Sequence, residues 1–341
     1  MMKIAIGHKL KKGPWGGGNS FVKNLTEALK AEGFSVYFDL LEPDLNFIVL
    51  TDPRSSSPNV SFSAREILSY LTKNPSTLVV HRINECDERK KTQFMNLRLR
   101  IANYCADHTV YVGSWLKNLN LAYRHKKFSD SVILNGADEK VFNSSGFHPW
   151  DGSFPIRLVT HHWGGNWMKG FDIYNKLDQM LTTPEWMGKV SFTYIGNLPK
   201  NFFFKNSNYI KPLSGKALAD ELKKHHVYLT ASINEPGGNH QIEGGCCGMP
   251  LLYLNSGCMP EYCNGYGVSF DAINFEASLK LMIENYFQHL RKMRNFPHKA
   301  SVTSSKWVDL FYFLDAKRND LINARGNKKS HFFYMLNQLI Y

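Results

Sequence analysis

The chain has 341 residues, above the roughly 250–300 at which a single hydrophobic core stops growing, so two domains are expected. Its hydrophobic share of 43% and charged share of 21% are those of a globular protein and exclude a disordered or collagen-like chain. The net charge of +12 is spread evenly, with 20 basic and 14 acidic residues through Trp150 and 21 and 15 beyond it, which excludes a basic tail or arm.

Residues 3–7 read as a first strand, followed by the glycine-rich Gly16-Gly17-Gly18 and a helical pattern over 19–32. Strands are expected at 35–39 and 47–50. The helix predicted over 63–73 opens on Ser63 with Glu66 three residues on, a capping-box pattern. A strand over 78–80 ends at His81. Next come a long helix over 88–106, a strand over 108–112, a helix over 114–121 and a strand over 131–134. Segment 142–155 is rich in turn formers and reads as a linker. The rhythm restarts with a strand at 157–160, a helix at 170–181, a strand at 190–195 and a helix at 215–224. A strand at 226–230, a helix at 239–247 and a strand at 250–254 follow. Helical patterns resume over 275–294 and from Ser304 onward. This alternation predicts parallel sheets covered by helices. The expected fold class is α/β, with two facing Rossmann-like domains and a ligand cleft at the carboxyl ends of their strands. The expected boundaries are 1–148 for the acceptor-side domain, 149–300 for the nucleotide-sugar domain, and 301–341 for a helical segment packing back on the first.

No apolar stretch approaches the ~20 residues that span a bilayer, and the apolar run at Met1–Gly7 is too short for a signal-peptide core. A cytoplasmic protein is expected. Six cysteines with no Cys-x-x-Cys pair read as reduced thiols and not as a zinc site. No Asp-x-Asp pair, Walker loop or Gly-x-Ser-x-Gly elbow occurs.

The most informative stretch follows the strand ending at Thr230. Glu235 lies in a loop and Glu243, beyond seven intervening residues, inside the next helix. Gly237, Gly238 and Asn239 lead into that helix and let backbone approach a ligand; helix N-termini favour phosphate. Taken alone, the pair also fits an ordinary helix with acidic early residues. Its surroundings are more specific. Gly248-Met249-Pro250, Asn255 through Glu261, and Gly265 through Phe270 follow in order. Together these resemble the nucleotide-binding half of the GT-B glycosyltransferases, most closely the retaining family 4. Asn135-Gly136-Ala137-Asp138 with Phe142, and Lys169-Gly170-Phe171-Asp172, are similar to further landmarks of that family, and Gly16-Gly17-Gly18 to its first loop.

The resemblance implies transfer of a sugar from a nucleotide diphosphate sugar to a hydroxyl, with retention and without metal. It implies Glu235 against the donor sugar, Glu243 on the ribose hydroxyls, and Lys169 on the departing diphosphate. It also implies His81 near the reacting sugar, with Gly17, Gly18, Gly237, Gly238 and Asn239 beside the donor. No cofactor is expected beyond the donor itself. One departure stands out: the family's arginine before the lysine is missing from Thr160 through Met168. His161, His162, Asn166 or the backbone at Gly164-Gly165 are the substitutes in view, and His162 is taken as donor-binding. The expected acceptor is a glycan or glycolipid. Three basic clusters, His8 through Lys12, Arg89 through Lys91 and Arg124 through Lys127, suit peripheral contact with an anionic membrane. The other readings are a sugar-nucleotide epimerase, a non-catalytic nucleotide-sugar binder and a nucleic-acid binder. No nucleic-acid motif accompanies the charge, so no nucleic-acid partner is expected.

Overall fold

The computed structural model describes residues 1–11, 17–122 and 129–325. Among them the chain forms two compact units. The first gathers Met1–Asp87, Lys91–Leu134 and the chain from Ser301; the second gathers Glu88–Lys90 and Asn135–Ala300. The switch thus falls at Leu134, before the 148 boundary expected from turn residues.

The first unit holds a parallel sheet of six described strands: β1 (Lys3–Ile6), β2 (Ser35–Tyr37), β3 (Phe47–Leu50), β4 (Leu78–Ile83), β5 (His108–Tyr111) and β6 (Ser129–Val132). Their spatial order is β2-β1-β3-β4-β5-β6. Its helices are α1 (Gly17–Ala31), α2 (Ala64–Lys73) and α3 (Met95–Ala102). Strands β3 and β4 are buried along their whole length, as continuous apolar runs between two helix layers should be. Helix α1 lays Phe21, Val22, Leu25 and Leu29 on the face formed by Ile4, Ile6, Phe47 and Val49. In α2 the Glu66 carboxylate reaches back to accept from the Ser63 N–H at 2.7 Å, as the sequence spacing requires.

The second unit repeats the plan with β7 (Ile156–His162), β8 (Val190–Gly196), β9 (Asn208–Ile210), β10 (Val227–Thr230), β11 (Leu251–Leu254) and β12 (Gly267–Phe270), ordered β12-β11-β10-β7-β8-β9. Its helices are α4 (Phe171–Met180), α5 (Gly215–Leu222), α6 (His240–Cys246), α7 (Met259–Cys263), α8 (Phe275–Glu284) and α9 (Tyr286–Met293). Phe171, Tyr174, Phe192 and Tyr194 pack in its core with no more than 1% exposure each.

Helices α10 (Ala300–Ala316) and α11 (Arg318–Arg325) come last in the described chain, and α10 belongs to the first unit's core. Trp307 packs on Phe21 and Phe311 on Phe47, with ring centroids 5.4 and 4.9 Å apart. Arg325 forks onto the buried Asp107 carboxylate, fastening α11 beside the start of β5.

Three expected elements differ. The helix expected over 88–106 is confined to α3 and the 3-10 turn Asn103–Cys105 that follows it. Asp87 caps α3 by accepting from the N–H groups of Met95 and Asn96 at 2.8 and 2.9 Å, and Lys91 and Phe94 turn with φ of 52° and 72° just before it. The helix expected over 114–121 is a short 3-10 helix, Ser114–Leu119. The pattern over 275–294 divides into α8 and α9 at Asn285. Of the expected sites, Gly16, Lys12 and the cluster at 124–127 lie outside the described residues.

Candidate functional site

The polar residues of the second unit gather where β7 and β10 end. These strands are parallel neighbours, so the loops leaving them emerge side by side. The β7 loop makes a 3-10 turn at Trp167–Lys169, with the Asn166 side chain accepting from the Met168 N–H at 2.8 Å. The β10 loop is tied to it by the Ile233 N–H, which donates to the Met168 carbonyl at 2.9 Å. Between them Lys169 Nζ stands 2.5 Å from Glu235 Oε2. The other carboxylate oxygen, Oε1, faces Arg89 Nε at 3.2 Å. Glu235 therefore bridges two cations, and its side chain is only 4% exposed.

Burial alone would raise the Glu235 carboxyl; Arg89 and then Lys169 outweigh it and hold it down to about 2. The Lys169 ammonium is lowered, chiefly by burial, with Arg89 and Lys90 adding to the fall and Glu235 opposing it. Two cations thus meet at one carboxylate in a partly dry site, a setting in which electrostatic interactions are strengthened.

Glu243 sits on α6, half-buried, and its Oε2 is 2.8 Å from His161 Nε2. His161 Nδ1 is 3.0 Å from the Tyr228 hydroxyl. A proton on Nε2 satisfies both contacts: the ring donates to Glu243 and accepts from Tyr228. His161 thus orients Glu243. His162 lies beneath, 3% exposed, its Nε2 2.7 Å from the Tyr174 hydroxyl and its ring 4.6 Å from that of His240. Burial holds both His162 and His240 well below the usual imidazole range. The Nε2 of His162 is thus engaged by the Tyr174 hydroxyl, which also accepts from the Ala231 N–H at 3.2 Å.

Gly237 and Gly238 lie in the same loop. The Gly237 carbonyl accepts from Asn135 Nδ2 at 2.7 Å, so the asparagine of the Asn135–Asp138 motif secures the glycine pair. A side chain at Gly238 would begin 2.7 Å from the His240 ring and 2.9 Å from Glu235 Cγ. Asn239 precedes α6, and its carbonyl accepts from the Glu243 N–H at 2.8 Å.

The remaining expected residues belong to the first unit. Gly17 and Gly18 form the first turn of α1. His81 was expected at a strand end; β4 instead runs on to Ile83, leaving His81 inside the strand and wholly buried. Its Nδ1 is 3.1 Å from Asn103 Nδ2, and its Nε2 meets no hydrogen-bond partner among the described residues. Burial pushes it down to about 3.

Sequence reasoning assigned Arg89 to a basic surface cluster, and Tyr228 and Gly257 to no role. Gly257, with φ of +57°, presses against the Glu235 loop, where a Cβ would fall 2.6 Å from the Glu235 nitrogen. Gly257→Val is expected to displace that loop at a cost of about 1–3 kcal/mol. Thermal melting would show the loss, and an unchanged melt would remove the packing argument.

Among the described residues no group of three or more His, Cys, Asp or Glu side chains is arranged to hold a metal, and the six cysteines are free thiols. No described helix is long and apolar enough to cross a membrane.

No family model and no curated protein matches the chain. Solved structures do. The catalytic domain of starch synthase IV from Arabidopsis thaliana, bound to ADP and acarbose, aligns with a TM-score of 0.65 at 10% identity, covering 92% of this chain and 99% of that one. Sucrose-phosphate synthase from Thermosynechococcus elongatus aligns at 0.62 and 13%, covering 93% and 100%. Anabaena HepE in complex with UDP-glucose aligns at 0.57 and 13%, covering 100% of each chain. At such identities the likeness concerns backbone architecture, and with its two six-stranded parallel sheets this chain has the GT-B fold.

Proposed function

We propose that the protein is a glycosyltransferase that moves a sugar from a nucleoside diphosphate sugar to an acceptor hydroxyl, with retention and without a bound metal, in the manner of family 4. The observation that carries this reading is the Lys169–Glu235 pair in the loops leaving the adjacent strands β7 and β10, with Glu243 on α6, the helix that follows β10, held by His161 of β7. Structural neighbours that hold ADP or UDP-glucose support it.

In this reading Glu243, steadied by His161, accepts from the two ribose hydroxyls; a carboxylate suits a diol because it offers only acceptors. Lys169 stabilises the charge that develops on the diphosphate as the bond from its oxygen to the sugar C1 breaks. The acceptor oxygen bonds to C1, and its proton passes to the departing phosphate. Glu235 faces the sugar.

A thermal-shift panel of UDP, GDP, ADP and dTDP tests the nucleotide part, since the right base raises the melting temperature by mass action. No shift with any of them removes the reading. Product analysis with the matching nucleotide sugar separates transfer to an acceptor from epimerisation. Glu243→Ala is expected to weaken nucleotide binding about 10–100-fold, the loss of a charged hydrogen-bond partner being worth roughly 1.5–3 kcal/mol. Calorimetry would measure this; equal affinity in wild type and variant would take the ribose contact away from Glu243.

Transfer is also expected to survive EDTA. The sequence offers no Asp-x-Asp pair, and in this reading Lys169 supplies the cationic charge at the diphosphate. Activity lost to chelation and restored by magnesium or manganese would reassign the leaving-group stabilisation to a metal.

A further inference from the structure

The diphosphate requires more positive charge than Lys169 alone, and the segment where a second cation is expected, Thr160 through Met168, contains none. Its polar side chains are committed elsewhere. His161 spans Glu243 and Tyr228, His162 is held by Tyr174, and Asn166 caps its own turn. Arg89, by contrast, sits at the Lys169–Glu235 pair. It comes from the segment Glu88–Lys90, which groups with the second unit although its sequence neighbours on both sides belong to the first. The Asn234 side chain donates to the Glu88 carbonyl at 3.3 Å, fixing that segment beside the Glu235 loop.

We propose that Arg89 is the second diphosphate-binding cation and that Glu235 occupies the phosphate position until the donor arrives. This rests on the donor reading above. A carboxylate edge and a phosphate edge present two oxygens at similar spacing, which is why arginine recognises both with the same fork. Here each oxygen of Glu235 already meets one cation, Arg89 on Oε1 and Lys169 on Oε2. The cations thus stand one on each oxygen of a carboxylate, an arrangement that the two oxygens of a phosphate edge can also meet. A diphosphate entering this site takes over both cations and releases Glu235, which lies in the same loop, to turn toward the sugar. No bond is made or broken in this step.

The test compares affinities for the best nucleoside diphosphate of the panel and for its monophosphate, by calorimetry, in wild type, Arg89→Ala, Arg89→Gln and Arg89→Lys. Arg89→Ala and Arg89→Gln should lower diphosphate affinity about 10–100-fold and leave monophosphate affinity within about threefold. Arg89→Lys should recover most of the loss. Arg89→Gln keeps a polar side chain that is uncharged and shorter than arginine, so read against Arg89→Lys it reports on charge if the alanine variant folds poorly. A diphosphate-to-monophosphate ratio unchanged in Arg89→Gln overturns the role of Arg89 and leaves the proposed function standing. Wild type that binds neither nucleotide overturns both.

Discussion

Glu235→Gln is expected to abolish sugar transfer while leaving nucleoside diphosphate binding equal to or tighter than that of the wild type. The unliganded protein should also be less stable. In the wild type the carboxylate neutralises two largely buried cations; the amide leaves Lys169 and Arg89 repelling each other with one counter-charge gone. Removing one member of a buried ion set costs about 3–5 kcal/mol. A diphosphate supplies the missing negative charge, so added nucleotide should return more melting temperature to the variant than to the wild type. Turnover falls for a separate reason: the group that faces the sugar in the proposed reaction has lost its charge. A variant that melts and turns over like the wild type would show that Glu235 neither holds the cations nor serves the reaction.

The second large effect is acid lability. His81 and His108 in the first unit are depressed to about 3 and about 4 by burial, and His162 and His240 in the second lie well below their usual value for the same reason. In the unfolded chain each titrates near 6.5. Between roughly 6.5 and the folded values the unfolded state binds more protons, so stability rises with pH across that window. It is fully present above about 6.5 and falls by about 1.4 kcal/mol per histidine at pH 5.5. The two such histidines in the first unit amount to about 3 kcal/mol there, or roughly 6–11 °C in melting temperature. In the second unit His226, depressed to about 4 by burial, acts in the same direction with His162 and His240. Glu235 contributes nothing here, because a carboxyl depressed to about 2 loses its stabilisation only below the unfolded value of 4.5. Melting curves at pH 7.0 and 5.5 decide the matter: a fall of less than about 2 °C would mean that these rings protonate without unfolding their surroundings.

The alternating strands and helices were legible because each apolar run is short, ends at turn residues and is buried in one sheet; Phe47–Leu50 and Val227–Thr230 read almost to the residue. Lys169 and Glu235 were also legible, since each lies in a loop leaving a recognisable strand. Arg89 was not, for its partner Glu235 is far away in sequence and no local pattern signals the pairing. His81 was misplaced by the two further strand residues Arg82 and Ile83, which extend β4 and draw the ring into the interior. The different settings of the two neighbouring histidines were hidden for a related reason. Beside His161, His162 looks equally available, but alternation along β7 points the two rings to opposite faces, one toward Glu243 and the other toward Tyr174. The break at Asn285 was hidden because α8 and α9 share one helical periodicity.

The docking of α10 into the first unit has a consequence for how the protein is made. Synthesis delivers Phe21, Phe47 and Val80 early, yet the rings that cover them, Trp307 and Phe311, leave the ribosome only after the entire second sheet has been translated. At about 5–20 residues per second that interval is roughly 15–60 s. During it the nascent first unit carries an uncovered apolar face, whereas the second unit, nearly continuous in sequence from Asn135 to Ala300, has its own core in hand. The unit whose first strands are made before the second sheet is therefore the one that finishes folding after it.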